Sequence, residues 1–123
     1  MTENIVQSIQ AKDYIRPKIL PGNTYKEKVG CGNIYVTVNK DDNKIIEVFA
    51  ILGKSGQCSR AQTEAVTRVV SAGLQSNTPI KKLIKTLKGI RCDTQIVNQD
   101  HYLSCTDCIA RILEMEENIG QTK

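Results

Sequence analysis

Four of the chain's five cysteines stand where one periodic segment stops and the next begins, and no other feature restricts the fold as much. Cys31 lies between Gly30 and Gly32, Cys58 follows Gly53-Lys54-Ser55-Gly56-Gln57, Cys92 closes Lys88-Gly89-Ile90-Arg91, and Cys105 follows Leu103-Ser104. None falls mid-strand or mid-helix, where a cysteine used only for packing would be expected. Brought together at one end of a domain, four thiolates suffice for a tetrahedral zinc or iron site or for an iron–sulfur cluster. The spacing is not that of a zinc ribbon, which uses two C-x-x-C pairs.

Between these boundaries the elements are legible from periodicity. Residues 1–28, punctuated by Arg16-Pro17 and Pro21-Gly22 and kept polar by Lys12, Lys18, Lys26 and Lys28, predict an extended leader arm. Ile34-Tyr35-Val36-Thr37-Val38 reads as a strand, Asp41-Asp42-Asn43-Lys44 as a hairpin turn and Ile45 to Leu52 as the partner strand. The Gly53-to-Gly56 loop carries Lys54 but lacks the full G-x-x-x-x-G-K-S/T phosphate-loop pattern. A helix follows from Ser59 to Gln75, whose small residues Ala61, Ala65, Val66, Val69, Ala72 and Gly73 are expected to lie against the sheet.

Thr78-Pro79 signals another helix, with Thr78 as cap, Ile80, Leu83, Ile84 and Leu87 turned inward, and Gly89 as C-cap. Residues 93–101 are polar and predict a loop or short hairpin. The last helix runs from Cys105 to about Asn118, capped by Ser104 with Asp107 completing a capping box, and turns Ile109, Ile112, Leu113 and Met115 inward. The expected fold class is α+β: a small antiparallel sheet (hairpin 33–52 plus a short strand) packed by about three helices. A single cysteine-rich domain over 29–118 would carry the arm at 1–28 and a frayed tail at 119–123.

Composition narrows the function. One Phe, four Tyr and no Trp require an aliphatic core, and a net charge of +4 is too small to argue for nucleic acid by itself. No segment is apolar for long enough to span a bilayer, and Met1-Thr2-Glu3-Asn4 does not open a secretory signal, so a cytoplasmic protein is expected. There, cysteines serve metal, redox chemistry or burial more often than disulfides. Lys81, Lys82, Lys85 and Lys88 form a solvated helix face or, alternatively, contacts for a polyanion or acidic partner; no aromatic residues are interleaved to stack bases. Cys105 and Cys108 fall on a first helical turn, where the dipole favours thiolate, so the pair reads as half a zinc site, a redox dithiol or two packed small residues. His101, the sole histidine, is a ligand or a bystander.

Five motifs in order then carry a resemblance: Arg16-Pro17-Lys18-Ile19-Leu20-Pro21-Gly22, Gly30-Cys31-Gly32-Asn33-Ile34-Tyr35-Val36, Gly53-Lys54-Ser55-Gly56-Gln57-Cys58, Gly89-Ile90-Arg91-Cys92 and Ser104-Cys105-Thr106-Asp107. Together they resemble the TSCPD domain family, commonly the C-terminal region of adenosylcobalamin-dependent ribonucleotide reductases. Leu103 and Thr106 replace the Thr and Pro of the family's name, and Cys108 stands where a small apolar residue is usual. The resemblance implies a metal-binding set of Cys31, Cys58, Cys92 and Cys105, with zinc as the ion and an iron–sulfur cluster as the alternative. Cys108 is then a fifth thiol, either a spare ligand or a packing residue, and its replacement by serine is expected to do much less than replacement of the other four.

A more distant similarity, in the order Cys-Gly, Gly-x-x-Cys and Ser-Cys, is to U-type iron–sulfur cluster scaffold proteins. On that alignment Cys31, Cys58 and Cys105 gather at one end. The reductase's radical-generating barrel, cobalamin pocket and nucleotide sites belong to a much longer chain than these 123 residues. The expected roles are therefore three: a metal-binding accessory to a ribonucleotide reductase catalytic subunit, an iron–sulfur carrier, or a dithiol of Cys105 and Cys108 that re-reduces a reductase disulfide.

Overall fold

A computed structural model of the chain describes residues 14–30, 32–53, 57–92 and 102–121. The described elements are β1 (Gly22–Val29), β2 (Gly32–Asp41), β3 (Lys44–Leu52), α1 (Gln57–Gln75), α2 (Ile80–Leu87) and α3 (Cys105–Gln121). The strands form one antiparallel sheet in the order β1-β2-β3, so the α+β expectation holds.

Residues 22–28, expected as the end of an arm, instead form most of β1. Thr24, Lys26 and Lys28 face solvent while Tyr25, Glu27 and Val29 turn inward, so the strand's polar half mimics a linker. The β2–β3 turn is set by Asp42 (φ 58°) and Asn43 (φ 68°), residue types that tolerate the left-handed region a tight hairpin demands.

On the inner face Ile34, Val36, Val38, Val48 and Leu52 meet Ile109, Ile112 and Leu113 of α3, with Val70, Leu74 and Ile84 completing an aliphatic core. Three carboxylates are buried as well, Glu47, Asp107 and Glu116. Glu116, 1% exposed, accepts hydrogen bonds from Asn23 (2.8 Å) and the Tyr25 hydroxyl (2.5 Å) and pairs with Lys40 at 3.2 Å, fastening α3 to β1 and β2. Met115, expected inside, is 38% exposed; the inward register belongs to Ile112, Leu113 and Glu116. On the opposite face Arg16 bridges to the buried Glu47 (2.8 Å), which also accepts from Asn39.

α1 departs from expectation in which side it buries. Thr63, Thr67, Val70 and Leu74 are inside, whereas Ala61, Ala65 and Ala72 are exposed and Val69 is 69% exposed. The helix lies along the edge of β3: Ser71 Oγ accepts from the Val48 N–H (3.0 Å) and donates to the Val48 carbonyl (3.1 Å), and Gln75 Nε2 donates to Ile46 O (3.4 Å). An edge presents main-chain polar groups, so a helix that covers it needs hydroxyls and amides there. The buried threonines return their own hydroxyls to helix carbonyls, Thr63 to Ser59 O and Thr67 to Thr63 O. α2 is entered through Pro79, which stands at the N-cap without a side-chain bond, so Thr78 does not cap it; Gly89, just past its end, takes φ 94° as expected.

Candidate functional site

The register shows which ends of the elements share one end of the domain. Val29 pairs with Gly32 at the last rung between β1 and β2, and Gly53 donates to Asn33 O (2.9 Å) where β3 runs out. Gly32 takes φ 127°, and a side-chain carbon there would stand 3.1 Å from Gly53 O, so the backbone approach requires glycine. α1 sets out from this end, because its later residues Ser71 and Gln75 reach Val48 and Ile46, progressively farther back along β3. α3 does the same: Glu116 near its end meets Asn23, Tyr25 and Lys40 at the far end of the sheet, while the Glu27 charge acts on Cys108 and Tyr102 near its start.

The segment leaving α2 is tied to the start of α3. Cys92 N–H donates to Leu103 O (2.9 Å), Ser104 Oγ donates to Ile90 O (2.7 Å), and Asp107 accepts from Gly89 N–H (2.7 Å) and Leu103 N–H (2.9 Å). Ser104 caps α3 as expected, its Oγ accepting from the Asp107 N–H at 3.0 Å. The Asp107 side chain does not close the box on Ser104; it serves as a latch for the neighbouring loop and also accepts from Arg111 Nε (2.9 Å). Burial alone would push this carboxyl up, but the two N–H donors and the Arg111 guanidinium together hold it below the usual aspartate range. Sequence reasoning missed the latch, although an aspartate set three residues after a helix cap was its visible trace.

Of the expected ligands, Cys58 is exposed and Cys92 and Cys105 are half-buried; Cys31, His101 and the loop lysine Lys54 lie outside the described residues. Among the described residues no three His, Cys, Asp or Glu side chains form a group that could hold a metal ion. What the described backbone does bring to one end are the Val29–Gly32 rung, the end of β3, the start of α1, and the adjoining segments around Cys92 and Cys105. Cys108 is separate from these: it is fully buried, and burial, with the charges of Glu27, Cys105 and Asp107, pushes its thiol up to about 12. The thiolate-favouring first turn expected for both cysteines therefore fails for Cys108, where desolvation exceeds the helix dipole.

The lysines of α2 are on the surface, and Lys88 pairs with Glu114 at 2.8 Å. The hollow beside them, about 350 Å³, carries Glu114 and Glu117 as well as Lys81 and Lys85, a mixed charge rather than a phosphate cradle. Among the described residues no helix is long and apolar enough to cross a membrane.

Comparison with known families matches residues 8–117 to the TSCPD domain, and the chain belongs to that family. No curated protein and no solved structure matched it.

Proposed function

We propose that this TSCPD chain is a metal-binding accessory module whose cysteine loops hold zinc and which serves an adenosylcobalamin-dependent ribonucleotide reductase without performing the reduction itself. The observation that carries the reading is the convergence of element boundaries at one end of the sheet, at each of which the sequence supplies a cysteine. Cys31, Cys58, Cys92 and Cys105 would hold the ion. Bound there, zinc would supply cross-links between loops that lie far apart along the chain. The latch from Asp107 to Gly89 and Leu103 prepares two of those loops by holding their backbones side by side.

The dithiol reading is less well supported, because a thiol pushed up to about 12 is almost wholly protonated at neutral pH and Cys108 offers no surface to a partner disulfide. The link to a reductase rests on family membership alone.

Elemental analysis of the chain purified anaerobically without a histidine tag tests the metal. One zinc per chain is expected; a brown, labile chromophore with iron and sulfide would assign the iron–sulfur carrier instead, and a metal-free chain would remove both. Co-purification with a ribonucleotide reductase subunit tests the partner separately.

A further inference from the structure

The sheet has two faces, and among the described residues α3 covers only the inner one. On the outer face Tyr35, Phe49 and Ile51 are 39%, 50% and 61% exposed. Tyr35 and Ile51 are direct cross-strand partners and Phe49 stands opposite Thr37, so the three form one apolar patch on β2 and β3. Lys26 of β1 borders it, its ammonium 5.9 Å from the centre of the Tyr35 ring. Toward α1 the patch opens into a cleft of about 580 Å³, lined by Phe49 and Ile51 on the strand side and by Thr67, Arg68 and Ser71 on the helix side.

One segment of the chain is already tied to this face. Residues 14–21 form a strap: the Tyr14 hydroxyl donates to Asp41 (2.7 Å), the Arg16 guanidinium donates to both oxygens of Glu47 (3.0 and 2.8 Å), and Pro21 O accepts from Lys40 N–H (2.9 Å). Arg16 also donates to the carbonyls of Pro17 and Lys18, so one side chain fixes both the strap's shape and its place. Glu47 is paired with Asn39, and the next outward residues along β3 are Phe49 and Ile51, about 7 and 14 Å farther on. The strap therefore leaves the chain before Tyr14 beside the bare patch.

The thirteen residues that precede the strap lie outside the described residues, but their sequence is amphipathic. Met1, Ile5 and Ile9 recur every four residues with Val6 beside them, whereas Glu3, Gln7 and Gln10 fall elsewhere around a helix. Counted back from Asp13 at about 1.5 Å per residue, Ile9 comes about 6 Å along such a helix and Ile5 about 12 Å. These steps match the spacing of Phe49 and Ile51 from Glu47.

We infer that residues 3–12 fold back as a helix over the outer face, Ile9 on Phe49 and Ile5 on the Tyr35–Ile51 pair. An apolar sheet face is completed by a second layer. A segment tethered beside the patch meets it at high effective concentration, without the loss of translational freedom that a second copy or a separate partner incurs. Tether and spacing select this occupant, and charge plays no part. The inference uses none of the cysteines, so it stands or falls apart from the metal.

Nuclear magnetic resonance on the full chain tests it. Methyl protons of Ile5 and Ile9 should show Overhauser contacts with the rings of Tyr35 and Phe49, and a mixture of labelled and unlabelled chains should assign those contacts to a single chain. Ile9→Asp should abolish them, those of Ile5 included, and raise the fluorescence of added anilinonaphthalene sulfonate severalfold, while the shifts of Ile109 and Ile112 in the core stay in place. Adding Phe49→Ser to that variant should bring the fluorescence back down. Absence of the contacts in the unaltered chain, contacts that arise only between chains, or contacts of Ile5 and Ile9 with Val69 and Leu83 in place of the sheet would each overturn the proposal.

Discussion

α3 and α1 are helices of similar length, each begun beside a cysteine, yet they solve opposite problems. α3 covers the face of the sheet, where only side chains are presented, and buries Cys108, Ile109, Ala110, Ile112 and Leu113 completely. α1 covers an edge, where main-chain groups are presented, and buries threonines while leaving its alanines and Val69 in water. The difference teaches that helical periodicity in a sequence reports a face-packed helix faithfully. For an edge-packed one it can point to the wrong side.

The sharpest way to break that contrast is truncation of a face residue. Ile112→Ala should cost about 3 to 4 kcal/mol, read as a shift in denaturant midpoint, because a fully enclosed side chain leaves a cavity. Asp107→Ala should cost about 2 to 3 kcal/mol by the same measure, since it strips acceptors from two backbone N–H groups and from Arg111.

Acid should act through the same face. Burial raises Glu116, but the bonds from Tyr25, Asn23 and Lys40 outweigh it and hold the group below the 4.5 ordinary for glutamate; Asp107 likewise lies below 3.8. Both are depressed in the folded chain, so their stabilisation is complete above those ordinary values and disappears as pH falls through the lower folded ones. The denaturant midpoint should therefore drop as pH falls below those ordinary values, and Glu116→Gln should flatten that dependence.

Effects on α1 should be smaller. Ser71→Ala removes the bonds to Val48 and should cost about 1 kcal/mol. Val69→Ala, in the stripe once expected to be buried, should stay within about 0.5 kcal/mol. A large loss at Val69 would mean that something covers this stripe.

The hairpin, both long helices and the inward trio Ile109, Ile112 and Leu113 were legible because alternation and 3.6-residue spacing follow directly from a one-sided core. β1 was not, since every outward residue of an edge strand with a solvated face is polar and Pro21-Gly22 stands at its start. Glu116 was hidden by its charge: nothing local announces that Asn23, Tyr25 and Lys40, far away in sequence, will neutralise and solvate it. At the candidate site the cysteines' positions at element boundaries were readable, and so was the family they mark. The burial of Cys108 was not, because a cysteine one turn into a helix can face solvent or core, and only the packing of α3 on the sheet decides. Its replacement, expected to be mild, now carries a cost: Cys108→Ser puts a hydroxyl into an apolar pocket and should lose about 1 to 3 kcal/mol.

Native mass spectrometry of the unaltered chain beside Cys105→Ser and Cys108→Ser tests the central claim most directly, because it reads bound metal and not folding alone. The account predicts a chain carrying one zinc ion, metal lost from Cys105→Ser, and metal kept by the less stable Cys108→Ser. A chain that carries no metal, or one that keeps its zinc without Cys105, would contradict it.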